Sequence, residues 1–502
     1  MKNIMTIICA CLISANILAQ SIQHTADALT SDPTLSHASI GISIINGNGD
    51  RLAGSNENKL MVPASVLKLI TTGAAIHSFG PDFRFKTDIR HDGFIENGIL
   101  HGNIYIRGNG DPTIGSKDSI ATDLNTLFAT WKGFIQKKGI KKIEGHIIGD
   151  GRWLEGMSEE PTWLWNDIGT YYGSGVTGLM FHENMQSFSV SPGEEIGTPV
   201  NIKPFYPECP WMTFRYDCTT GLKGTGDKLY MYTSGLSPVA EIRGTFGIDR
   251  GKKRVDCSNK YPEYTCAVYF YNYLKKNGIV CSDGCGDYKL KTEWMEETSS
   301  ADSLILLGTT FSPSLERIVH ETNHASNNLF AETLFRTLGK EMRQSSCYDS
   351  SYLAMNDILK KLMPGNENGI KMQDGSGLSR QNHISADFMT GFLRSMMDSP
   401  HFDKYLSSLP FPGDSGTMSY NMKGYSEGLR HRIRVKSGSM NGIRCYCGYI
   451  LPEGFIYKEG SAIPEEIKKN IVIFSIFTNN CISPNWKVRP LLDRFMAAIA
   501  KS

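Results

Sequence analysis

The sequence predicts an α/β chain in which one domain is split by a mainly β inserted region. Three observations carry this. Residues 38–57, "ASIGISIINGNGDRLAGSNE", alternate Ile40, Ile42 and Ile44 and then turn at "NGNGD", the pattern of a β-hairpin. Residues 86–265 are dense in turn signals, such as "HDGFIENG", "RGNGDPTIG", "SPGEEIG" and "DCTTGLKGTGDK", with short alternating runs between them. The chain then closes on helices and on three apolar strands, "RIRVKSG", "CYCGYIL" and "NIVIFSIFT". One sheet built from the first hairpin and the last strands is the economical arrangement.

Taken in order, the chain opens with "MKNIMTIICACLISANILAQS", one lysine and an apolar run ending in small residues. This predicts a secretory signal peptide over residues 1–20, cleaved at Ala19 or Gln20. A membrane anchor is the alternative, but the run is short for a spanning helix; a lipid on Cys11 fits poorly, because the apolar stretch continues past it. After Pro63 the run "ASVLKLITTGAA" lacks strand alternation and predicts a buried helix with proline near its start. The expected domains are then 21–85 with 266–502 as the split domain, and 86–265 as the insertion, with room for two subdomains. Helices are expected at "YTCAVYFYNYLKKNGI", "SLERIVHETN", "SNNLFAETLFRTLGKEM" and "ADFMTGFLRSMM". The final amphipathic stretch, "VRPLLDRFMAAIAKS", follows an apolar strand directly, so core packing is expected over membrane-surface binding.

Composition narrows the class. An apolar share of 40%, a charged share of 21% and a net charge of +1 describe a soluble globular protein. No basic excess calls for nucleic acid, and no later apolar run is long enough to span a membrane. Beyond the leader there are ten cysteines: Cys209, Cys218, Cys257, Cys266, Cys281, Cys285, Cys347, Cys445, Cys447 and Cys481. In an exported chain they predict disulfides. "CSDGC" and "CYC" invite a metal reading, but no paired CxxC or HxxxH supports one, and no cofactor is expected.

The chemistry starts at "PASVLK". In a helix, Ser65 and Lys68 share one face at i, i+3. A serine nucleophile needs a base, and a buried lysine can be one, because desolvation disfavours its ammonium. Alone, this spacing also fits an N-capping serine beside a snorkelling lysine. Two later stretches change that. Ser326-Asn327-Asn328 stands at the mouth of a helix, and Lys436-Ser437-Gly438-Ser439 ends a strand. SxxK, SxN and K[ST]G in this order are the signature of penicillin-binding proteins and serine β-lactamases. In that chemistry Ser65 attacks an amide carbonyl and Lys68 takes its proton. Ser326 and Lys436 relay a proton to the leaving amine, and Asn328 holds a substrate amide. Ser437 and Lys436 meet the substrate carboxylate, while Gly438 lets the strand come close. Backbone N–H groups of Ser65 and Ser439 form the oxyanion hole.

About 260 residues separate Ser65 from Ser326, far more than a compact β-lactamase needs. The chain resembles the D-alanyl-D-alanine carboxypeptidase/endopeptidase family of class C low-molecular-mass penicillin-binding proteins. "PASVLKLITTGAA", "GPDFRFKT", "GNGDPTIG", "WLWNDIGTYYG", "SNNLFAETLFRTLG", "DGSGLSRQNHIS", "PGDSGTM" and "VKSGSMNG" carry the resemblance over most of the chain. It implies a penicillin-binding-protein or serine β-lactamase-like transpeptidase domain, an antiparallel sheet flanked by helices, with the insertion between SxxK and SxN. It also implies cleavage of peptidoglycan stem peptides outside the cytoplasm, in the periplasm, soluble or loosely membrane-associated, and acylation by β-lactams. By resemblance, Asp167, Tyr172, Arg380 and Asn441 are substrate contacts. Asn327 stands where many relatives have aspartate, Ser437 where threonine is usual, and Asn441 is shorter than the glutamine of some relatives, which leaves side-chain preference open.

Other readings compete less well. "GDSG" within 412–418 resembles the nucleophile stretch of chymotrypsin-like proteases, but helices flank it and it leaves three ordered motifs unexplained. A β-lactamase needs a deacylating carboxylate on a dedicated loop, which the sequence does not display. A non-catalytic wall-binding scaffold has no reason to keep Ser65, Lys68, Ser326, Asn328, Lys436 and Ser437 together. A metal peptidase lacks HExxH.

Overall fold

The computed structural model describes residues 19–288, 303–365 and 368–502. The expected signal peptide therefore lies, up to residue 18, outside the described residues. Contacts divide the chain into two units: one of residues up to Asp82 with Leu315–Leu338 and Ser351–Ser502, the other of Phe83–Ser314 with Gly339–Ser350.

The first unit is built on a five-stranded antiparallel sheet in the order Arg51–Ser55, Ser39–Asn46, Val472–Asn479, Ile443–Ile450, Ile433–Met440. The N-terminal hairpin and the C-terminal strands do share one sheet. Strand alternation sorts its two faces. Ile40, Ile42, Ile44, Val435 and Phe474 point into a core closed by the helix Asn485–Lys501, whose Leu492, Phe495 and Met496 are buried there. The final helix is thus a core helix. Residues 19–30 form a further helix, not anticipated from sequence, that adds Ile22, Ala26 and Leu29 to the same core. Gly41 and Ser43 point the other way, toward the helix Ala386–Met396, where Ser43 and Thr390 share a hydrogen bond of 2.7 Å. The expected antiparallel sheet flanked by helices is the architecture found.

The second unit has two main cores among the described residues. A five-stranded and a four-stranded sheet enclose the helices Leu124–Lys137 and Pro262–Lys276, which meet through Phe128, Trp131 and Phe270. Two three-stranded sheets, including Asp227–Thr233 and Val239–Gly247, pack Phe188, Met231, Ile242 and Phe246 into a smaller core. The contacts divide later than the expected residue 266. Helix Pro262–Lys276 fills this unit's larger core, and strand Ile305–Phe311 pairs with Lys86–His91. Helical texture returns before the chain has left the insertion's sheet.

The disulfide expectation is not met: no disulfide joins any of the ten cysteines among the described residues. Seven are buried, six of them in strands and helices and Cys209 in a loop, and they act as small apolar side chains. Cys445 and Cys447, for example, are successive same-face residues of one central strand.

Candidate active site

The nucleophile stretch folds as a 3₁₀ turn, Ala64–Leu67, running into the α-helix Lys68–Phe79. A 3₁₀ turn eclipses residues i and i+3, so it stacks Lys68 directly over Ser65. Ala64 takes φ 50°, a left-handed conformation that costs a non-glycine residue and clusters at functional sites. Ser65 is partly buried, whereas Lys68 is completely buried. The Lys68 Nζ donates to Ser65 Oγ at 3.0 Å, Asn328 Oδ1 at 2.6 Å and the Ser376 carbonyl at 2.6 Å. Burial lowers its pKa to about 7, against the pull of the Asp374 and Glu332 carboxylates.

Beneath this lysine lies the loop Asp374–Ser379, which sequence reasoning passed over except for Arg380 at its end. Glu332, buried on the helix Asn328–Arg343, accepts from the Gly375 N–H at 3.2 Å and the Ser376 N–H at 2.7 Å. Asp374 accepts from the Gly377 N–H at 2.8 Å and the Ser379 N–H at 2.6 Å. Thr71, one turn past Lys68, donates to the Gly375 carbonyl at 2.7 Å. Gly377 has φ 82°, and a Cβ there would lie 2.0 Å from the Ala64 carbonyl oxygen. Only glycine lets the loop press against the nucleophile turn. Burial, then the Asp374 charge, raises the pKa of the Glu332 carboxyl. The signal in the sequence was "DGSGLS", an acid followed by small turn-forming residues, but nothing local tied it to Lys68.

The other half of the site rests on Ile433–Met440, the edge strand of the sheet. Lys436 is fully buried and its Nζ donates to Ser326 Oγ at 2.9 Å and to the Ser437 carbonyl at 3.0 Å. Burial, then the charge of Lys68, pushes its pKa well below the usual lysine value. A Cβ on Gly438 would meet the Pro63 carbonyl oxygen at 2.7 Å, the Val66 N at 3.0 Å and the Ser65 N at 3.1 Å. The close approach expected of Gly438 is thus toward the nucleophile turn itself. Ser437 donates to Thr417 Oγ1 at 3.2 Å, and Thr417 to the His324 carbonyl at 3.3 Å. The "PGDSGTM" stretch therefore supplies a neighbour of the K[ST]G strand through Thr417. Ser326 sits at φ 60°, so the SxxK and SxN motifs each carry a left-handed residue at or next to the reactive serine.

One hydrogen-bonded set thus holds Ser65, Lys68 and Asn328, a second holds Ser326 and Lys436, and Gly438 closes the space between strand and turn. Ser439 is exposed on the edge strand and Asn441 in the turn after it; Arg380 is also exposed. Asp167 and Tyr172 belong to the second unit, where the Tyr172 hydroxyl donates to Asp167 Oδ1 at 3.2 Å. Among the described residues no group of three or more His, Cys, Asp or Glu is placed to hold a metal ion, and no helix is long and apolar enough to cross a membrane.

Residues 22–497 match the D-Ala-D-Ala carboxypeptidase 3 (S13) family. The chain is 24% identical to a D-alanyl-D-alanine carboxypeptidase of Actinomadura sp. (strain R39), over 86% of this chain and 79% of that one. Its structure is similar to that of penicillin binding protein 4 (dacB) from Haemophilus influenzae, with a TM-score of 0.76 at 21% identity, covering 95% of this chain and 98% of the other. The same Haemophilus protein complexed with a β-lactam matches with a TM-score of 0.71 at 21% identity, over the same shares. These likenesses show the fold.

Proposed function

The chain belongs to the D-Ala-D-Ala carboxypeptidase 3 (S13) family, and from that premise we propose that it is a serine-type carboxypeptidase/endopeptidase acting on D-Ala-D-Ala ends and D,D cross-links of peptidoglycan stem peptides. The observation that carries this is the set of acceptors around Lys68. A neutral amine has two N–H donors and one lone pair. Asn328 Oδ1 and the Ser376 carbonyl are fixed acceptors for the two hydrogens. The remaining direction, toward Ser65, is left to the lone pair. A pKa of about 7 keeps a large neutral fraction at physiological pH.

Ser65 Oγ attacks the carbonyl carbon of the penultimate D-alanine while Lys68 takes its proton. The oxyanion meets the N–H groups of Ser65 and Ser439. The C–N bond breaks, and the departing amine receives a proton through Ser326 and Lys436. Water then attacks the Ser65 ester, frees the shortened peptide and restores the hydroxyl. Asn328 also orients the substrate amide. Ser437 and Lys436 hold the terminal carboxylate, and the edge strand at Gly438 aligns the peptide backbone. Asp167, Tyr172, Arg380 and Asn441 are substrate contacts in this reading. A β-lactam acylates Ser65 in the same way, but its leaving nitrogen stays tethered, so the ester persists. The enzyme works outside the cytoplasm, in the periplasm, after loss of the leader, as a soluble or loosely membrane-associated protein.

Fluorescent penicillin labels the wild type with one-to-one stoichiometry in this reading, and Ser65→Ala abolishes both labelling and D-alanine release from a synthetic pentapeptide. Equal labelling of the two proteins would remove Ser65 as nucleophile.

A further inference from the structure

Beside Tyr172, the second unit carries exposed aromatic rings to which the reaction assigns no role. Trp165 is 57% exposed, Tyr171 54% and Tyr230 42%. Trp165 leans over Tyr232, with ring centroids 6.3 Å apart at 31°. Tyr171 meets Tyr172 edge-on at 5.2 Å, and the Tyr172 phenol senses Tyr230. Two ring pairs, Trp165–Tyr232 and Tyr171–Tyr172, thus stand with Tyr230 on the surface of this unit.

These rings are held in place rather than loosely displayed. Tyr230 and Tyr232 alternate onto the outer face of Asp227–Thr233, while Met231 on the inner face is buried in the smaller core. The loop bearing Trp165 and Tyr171 is pinned to the sheets beneath. Ser258 donates from its N–H to the Gly169 carbonyl at 3.0 Å and from its Oγ to the Ile168 carbonyl at 3.0 Å. A Cβ on Gly169 would lie 1.6 Å from the Met231 carbonyl oxygen, so the loop backbone lies flat on the strand.

The surroundings select the partner. On the adjoining strand, Arg243 stands opposite Tyr230 and Glu241 opposite Tyr232, and these two form an ion pair at 3.1 Å. Arg243 and Glu241 offset each other, and Arg215, Asp217 and Lys228 on the same sheet face intersperse both signs rather than gathering a single-sign field. Open aromatic faces with polar groups at their rims suit a ligand that has an apolar C–H face and hydrogen-bonding edges. A pyranose ring is such a ligand. The neighbouring Asp167 and Tyr172 are proposed stem-peptide contacts, and the stem peptide hangs from an amino-sugar chain.

We propose that the cluster centred on Trp165, Tyr230 and Tyr232 is a docking surface for the glycan strand of peptidoglycan. The proposal rests on the peptidoglycan reading above but needs no catalysis, so the two fail separately. The test is co-sedimentation of the full-length protein with purified glycan strands stripped of stem peptides, alongside D-alanine release from intact sacculi and from a free pentapeptide. Trp165→Ala and Tyr230→Ala are expected to weaken glycan binding and sacculus activity about tenfold each, with free-pentapeptide activity unchanged. Ser65→Ala binds glycan like the wild type while losing activity on both substrates. Trp165→Phe, which keeps an aromatic face, retains most of the binding and guards against a folding defect in the alanine variant. Absence of wild-type binding to stripped strands, wild-type binding by both alanine variants, or an equal loss on sacculi and free peptide would each overturn the proposal.

Discussion

The two buried lysines of the site are constructed differently. Lys68 has three acceptors supplied by the protein, and two carboxylates favour its charge, so burial brings it only to about 7. Lys436 has the Ser326 hydroxyl and a carbonyl, and its ammonium is opposed by burial and then by Lys68. No carboxylate among the described residues enters that second balance. A lysine set to exchange a proton needs a poised pKa; a lysine set to receive an anion can be left without one until the ligand arrives. The protein completes the first environment itself and leaves the second for the substrate's carboxylate to complete.

The sharpest test of this contrast is at Lys68. Lys68→Ala is expected to lower kcat/KM for pentapeptide and the rate of penicillin acylation by about 10³-fold, roughly 4 kcal/mol of transition-state stabilisation. Lys68→Arg should not restore activity, because guanidinium stays protonated. In the wild type, protonation of Lys68 removes the lone pair. The pH profile of kcat/KM should therefore fall about tenfold per unit below pH 7, the value to which burial brings this group. A base that tolerates arginine, or a profile flat down to pH 5, would break the assignment.

Lys436 should respond to the substrate's carboxylate. Lys436→Ala is expected to cost about 100-fold in kcat/KM on peptides ending in a free carboxylate, largely through KM, and much less on the corresponding C-terminal amides. Because the arriving anion raises the Lys436 pKa, binding such a peptide to Ser65→Ala should take up a proton over the pH range in which free Lys436 titrates, seen with an indicator dye in weak buffer. Equal losses on acid and amide peptides would erase the difference between the two lysines.

Much of this was readable from residue order alone, for identifiable reasons. Alternation in 38–57 and in the three closing strands fixed their place in one sheet, because a half-buried strand must repeat every two residues. Ser65, Lys68, Ser326, Lys436 and Gly438 were readable because their chemistry demands those residue types at short spacings. The helix over 19–30 was missed, since its first residues merge with an apolar leader. Glu332, Asp374 and the Ser376 carbonyl were missed because they reach Lys68 across hundreds of residues and follow no local period. Export suggested disulfides, yet the cysteines were used for packing, where a thiol fills a strand position as a small apolar group. Helix Pro262–Lys276 reads as helix correctly, but periodicity cannot say which core its buried face enters.

The smallest expected effect concerns the carboxylates that separate the two lysines. Asp374 raises the Lys68 pKa and does not figure in the balance at Lys436. Asp374→Asn removes that charge while keeping a carbonyl oxygen for the Gly377 N–H and Asn382 Nδ2, which it now accepts at 2.8 Å each. The new amide N–H₂ faces the Ser379 N–H, where a carboxylate oxygen accepted before, so a modest drop in Tm is expected. The informative readout is the pH profile. With less opposing burial, the Lys68 ammonium becomes harder to form, its pKa falls, and the acid limb of kcat/KM moves to lower pH. The rate at pH 7 should change by less than about tenfold, since the neutral amine is then more populated but less basic. The preference for carboxylate over amide peptides should not move, because that preference belongs to Lys436. An acid limb that stays in place or moves upward would mean that Asp374 only shapes the loop, and that the two lysines differ by burial alone.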